Sequence, residues 1–101
     1  MGTRLELHEV LCNALGSRHV YYQPPENVKM EYPAIVYSRD DIRSLYADNQ
    51  VYGKHHAYEV IVIDYDPDSE IVEKVASLPS SRFLRHYPSE NLNHDVFLLY
   101  Y

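Results

Sequence analysis

The sequence predicts an α+β fold: a mixed, mostly antiparallel β-sheet of about four to five strands, two helices packed on it, and a long projecting β-hairpin. Three observations lead there. Apolar residues recur at helical spacing in two separate stretches, 3–15 and 67–78. Between and after them lie runs rich in Val, Ile and Tyr that alternate or stay apolar over strand lengths. The turns between those runs carry Asn, Asp, Pro and Ser, the residues that turn geometry favours. A chain of 101 residues is the size of one domain, here 1–101, and at that size folding buries roughly two-thirds of the unfolded surface.

The first helix is expected over Thr3 to Leu15. Leu7, Val10, Leu11, Ala14 and Leu15 form the apolar stripe, and Glu6 and Glu9 fall on the other side. Thr3 with Glu6 reads as a capping box, and Gly16 as the stop. His19 to Gln23 reads as a short extended piece, and the proline-bearing run 23–33 as a loop. Pro33 opens a strand in which Ile35 and Tyr37 alternate with Ala34, Val36 and Ser38. A turn at 47–50 and a returning strand ending in Tyr58 to Ile63 complete a long hairpin with a polar tip. The second helix, Pro67 to Leu78, carries Ile71, Val72, Val75, Ala76 and Leu78 on one stripe and stops at Pro79. The tail gives two strands around the segment PSEN.

Asp64, Asp66 and Asp68 stand at alternate positions between the third strand and the second helix. An EF-hand loop starting at Asp64 needs Gly at its sixth position and Glu at its twelfth, where this chain has Ser69 and Val75. A strand-to-helix junction accounts for each residue instead: Asp66 as the helix N-cap, Pro67 at the first helical position, Asp68 and Glu70 at the positive end of the helix dipole.

Other chemistry has little support in the residues. Adjacent His55 and His56 point to opposite faces of a strand, while His86 and His94 flank a turn across which they could meet. There is no HExxH pattern, no Cys pair, no GxSxG elbow, and three glycines are too few for the usual phosphate loops. Arg39, Asp40 and Asp41 read as a surface ion-pair cluster. Cys12 lies in an apolar pattern and reads as a buried thiol. No enzyme emerges, and neither a cofactor nor a metal is expected.

The net charge of -6 with scattered basic residues argues against gripping a nucleic-acid backbone. No apolar run approaches the ~20 residues that span a membrane, and charges occupy the N-terminus where a signal peptide needs an apolar run. A cytoplasmic setting is expected. Tyrosine is the compositional oddity, with 11 Tyr against 2 Phe and no Trp. It fits both a β-rich core and extensive protein interfaces.

The chain resembles the small tail-terminator (tail-completion, head–tail joining) proteins of long-tailed phages and prophages of Gram-positive bacteria. The stretches that carry the resemblance are LELHEVLCNALG, VYYQPPENVKMEYPAIVYSRDD, the turn YADN, YEVIVIDYDPDSEIVEKVASLP and the closing NLNHDVFLLYY, nearly the whole chain. The resemblance implies a structural virion protein in an α+β fold, made in the host cytoplasm. It would form a homo-oligomeric ring, usually a hexamer, on the head-proximal end of the tail tube. There it would stop tube polymerisation and dock on the head connector. Its partners would be tail-tube protein and the connector or stopper protein, with genomic DNA passing through the lumen without specific binding.

An acidic lumen would let DNA slide without sticking, and a ring needs two different patches that meet. Candidate subunit or tube contacts are the hairpin residues Arg43, Tyr46, Asp48, Asn49, Val51, Tyr52, Lys54 and His55, and Phe97, Leu99 and Tyr101 of the last strand, which could add to a neighbouring sheet. The plainer alternatives are a solvated hairpin and a last strand that is simply core. Competing functions are a head-completion or stopper protein on the connector, or a small metal-dependent or acid–base enzyme using Asp64, Asp66, Asp68 and nearby His.

Overall fold

The computed structural model describes residues 4–24, 29, 31–40, 56–66 and 68–101. Its elements are α1 (Arg4–Leu15), β1 (Val20–Tyr22), β2 (Ala34–Arg39), β3 (Ala57–Asp64), α2 (Glu70–Ala76), β4 (Ser81–Ser89) and β5 (Leu92–Tyr100). The strands form one mixed sheet in the order β1-β2-β3-β5-β4, with β1 parallel to β2 and every other pair antiparallel. The fold is α+β, as the two helical stripes and the strand runs predict.

Leu7, Leu11, Cys12, Ala14 and Leu15 of α1 are buried, the spacing of a single helical face. Gly16 closes the helix at φ 83, a left-handed conformation open to glycine without a Cβ clash, and its N–H donates to Cys12 O at 2.8 Å. Below the helices the register sets Ile35 opposite Val62, Tyr37 opposite Val60, Val60 opposite Phe97 and Tyr58 opposite Leu99. Directly opposite residues share a face. These side chains form one core with Leu7, Leu11 and Val75. The odd-numbered residues of β3 and the even-numbered residues of β5 turn to the other face, yet Ile63, Val96 and Leu98 are also buried. That two-sided apolar demand explains why β3 reads as a nearly continuous apolar run, and why it and the apolar second half of β5, Val96 to Leu99, take inner positions.

Tyr37 and Tyr58 belong to this core, with Tyr22 and Tyr101 packed against it. Tyr22, Tyr37 and Tyr58 stand on β1, β2 and β3 with ring centroids 4.9 Å and 6.1 Å apart along the row. His8 Nδ1 meets the Tyr37 hydroxyl at 2.8 Å, and the Arg4 guanidinium lies 4.5 Å over the Tyr22 ring. α1 thus lies over this row of rings, with Arg4 on the face of one and His8 at the hydroxyl of another.

Two sequence expectations need correction. The second helix starts at Glu70, not Pro67, and its N-cap is Ser69, whose Oγ accepts from Ile71 N at 3.2 Å; Asp66 does not cap it. The aspartates make local turns instead: Asp64 Oδ1 accepts from Asp66 N at 3.1 Å and Asp66 Oδ1 from Asp68 N at 2.9 Å. Short side chains that bond the backbone two residues on compete with helix formation, so the helix starts only after the last of them. Ser69→Ala is therefore expected to lower stability by about 0.5–2 kcal/mol, and Asp66→Ala by clearly less, measured by urea unfolding. The reverse order of effects would return the cap to Asp66.

The second correction concerns the last strand. β5 lies between β3 and β4, so both its backbone edges are already paired and it cannot add to a neighbouring sheet. Phe97 and Leu99 are buried in the core, and Tyr101 is half-buried against it, its N–H donating to His56 O at 2.9 Å. The β2–β3 pairing runs from Ala34 opposite Ile63 to Arg39 opposite Tyr58. The hairpin tip expected beyond it, with Arg43, Tyr46, Asp48, Asn49, Val51, Tyr52, Lys54 and His55, lies outside the described residues, as do Thr3, Asp41 and Pro67.

Candidate assembly surface

The outer strand β4 gathers the features that a contact surface needs. It pairs with β5 along one side, and no described strand lies on its other side. Phe83 and Tyr87 are 52% and 37% exposed, two of the four exposed large apolar side chains described. Arg82 and Arg85 are exposed and, among the described residues, bound in no ion pair. A bulge between Phe83 and Arg85 arranges them. Residues three apart in a regular strand face opposite ways, but Leu84 is the extra residue here, so Arg82 lies opposite Leu98 and Arg85 opposite Val96 on one face. That is the face turned away from both helices. Nothing in the spacing of RFLRHY reveals this, because the bulge that aligns the two arginines is decided by pairing with β5.

β4 also carries the one His–carboxylate contact with a mostly buried acid among the described residues. His86 Nδ1 meets Asp95 Oδ1 at 2.8 Å, with the histidine 39% and the aspartate 12% exposed at the side chain. An aspartate so placed orients an imidazole, as in acid–base sites. Among the described residues, the hydrogen bonds of this pair reach no serine, threonine or cysteine. His94 points to the other face and stacks on Tyr87 at 4.8 Å, which separates it from His86. The approach of His86 and His94 that a simple turn would allow therefore does not occur.

The acidic junction is accounted for by its two turns and the Ser69 cap. No group of three or more His, Cys, Asp or Glu that could hold a metal occurs among the described residues. A shallow hollow beside the end of α1, lined by Glu9, Cys12, Asn13, Gly16, Ser17 and Arg18, is crossed by the exposed Arg18–Glu9 bridge at 2.8 Å. It is open to solvent and lacks convergent buried polar groups. No helix of the described residues is long and apolar enough to cross a membrane. None of the family models, curated proteins or solved structures compared with the chain matches it.

Proposed function

We propose that the chain is a structural virion protein, a tail terminator that forms a ring on the head-proximal end of a phage tail tube, ends tube polymerisation and joins the tail to the head connector. The observation that carries this reading is the resemblance along nearly the whole chain, whose phrases fall on α1, on β1 and β2, on the β3–α2 junction and on β5. Two physical features support it. A sheet with two unlike outer strands has the two different patches that a closing ring requires. A net charge of -6 suits a ring through which DNA must slide.

Light scattering across concentration, alone and with purified tail-tube protein, tests the reading. A ring, alone or only on the tube, is the expected result. A monomer that ignores the tube but binds the connector would make it a stopper protein instead. A monomer indifferent to both partners would overturn the structural role.

A further inference from the structure

The two outer strands of the sheet differ in kind. β4 is nine residues long, basic and aromatic, whereas β1 is three residues long. An unpaired strand edge presents a row of N–H and C=O groups that will pair with any extended segment that fits. Beside β1 lies Glu31, whose backbone N–H donates to the Tyr21 hydroxyl at 3.5 Å and whose carboxylate meets His19 Nε2 at 3.0 Å while remaining 80% exposed. We propose that the outer edge of β4 in one copy pairs with the outer edge of β1 in the next, so that neighbouring sheets run on as one. This rests on the ring reading above and names the interface that would close the ring.

Charge selects this pairing over the obvious alternative. Two β4 edges brought together would set Arg82 and Arg85 of both copies along one seam, and like charges across paired strands destabilise them. β4 meeting β1 brings those arginines toward the carboxylate of Glu31 instead. The two pairings also differ in what they build. A β4–β4 contact uses the same patch twice and stops at a dimer, whereas β4 to β1 leaves one free edge at each end until a ring closes. The shortness of β1 limits the shared backbone bonds to a few. Exposed Phe83 and Tyr87 therefore have to supply apolar contact as well.

The test is a charge swap, made under whichever condition assembles the wild type, alone or with tail-tube protein. Arg82→Glu/Arg85→Glu gives a copy acidic at both edges, and Glu31→Lys gives one basic at both. Each variant alone is expected to associate about tenfold or more weakly than the wild type. Their equimolar mixture should regain the wild-type mass, because the acidic β4 of one then meets the basic β1 edge of the other. Circular dichroism checks that both fold. Wild-type amide exchange at Ser81–Ser89 gives a second readout and should slow on assembly. Variants that assemble normally, a mixture that fails to recover, or unchanged exchange at β4 would overturn the edge pairing while leaving the ring intact. A wild type that stays monomeric under both conditions overturns the ring, and the edge pairing with it.

Discussion

Phe97→Ala is expected to lower stability by about 3–5 kcal/mol, a large share of the roughly 5–15 kcal/mol that holds a domain of this kind together. Phe97 is 0% exposed, stands opposite Val60 on the inner strand β3, and meets the Phe83 ring edge-on at 5.5 Å. Truncation removes the buried ring and leaves a hole between two inner strands whose backbones are paired on both sides and cannot close over it. Phe97→Leu, which keeps most of the volume, should cost much less. Phe83→Ala should also cost less, because that ring is already 52% exposed. Urea unfolding measures all three, read as a fall in midpoint at constant slope. A loss at Phe97 no larger than at Phe83 would mean that the centre of the sheet is not where the core is tightest.

Tyr37 gives the second large effect, and it separates packing from hydrogen bonding. Its ring is 0% exposed in the row with Tyr22 and Tyr58, and its hydroxyl bonds His8 across the α1–β2 boundary. Tyr37→Ala should cost about 3–5 kcal/mol, by analogy with other buried aromatic truncations. Tyr37→Phe keeps the ring and should cost only about 0.5–1.5 kcal/mol for the lost bond.

The same residue predicts a pH dependence. Burial pushes the Tyr37 and Tyr58 hydroxyls above the ordinary tyrosine value of 10.0. Below that value both states hold the proton and stability is unaffected. Above it the unfolded chain ionises first and binds fewer protons than the folded chain, so stability falls as pH rises. Thermal melts between pH 8 and pH 11 should show that fall, and it should be reduced in Tyr37→Phe. An equal fall in the variant would assign the alkaline loss elsewhere.

Some of this architecture was legible in single residues. The spacing of Leu7, Leu11 and Leu15 identifies the buried face of α1, and Gly16 its end, because both depend on local geometry that a few neighbouring residues decide. The same holds for the hairpin of β4 and β5. It turns at Glu90 and Asn91, both at positive φ, within the segment whose polar residues mark it as a turn. The start of α2 lies three residues beyond the Pro67 that the sequence predicts, because Asp66, Asp68 and Ser69 all have side chains able to cap. The choice among them depends on which backbone N–H groups the turns have already taken.

The sequence by itself therefore determined the class of the fold, the buried face of α1 and the apolar character of β3, since periodicity follows from the local repeat of helix and strand. On α2 only Val75 of the expected stripe is buried, and Ala76 is exposed. Only the tertiary structure decided that β5 enters between β3 and β4, which turns the chain's last strand from an offered edge into core. It also decided that β1 runs parallel to β2, and that Arg82 and Arg85 share a face. Each of these depends on pairing between segments distant in the chain, where register and strand order are settled by burying both faces of the inner strands at once. No local pattern encodes that choice.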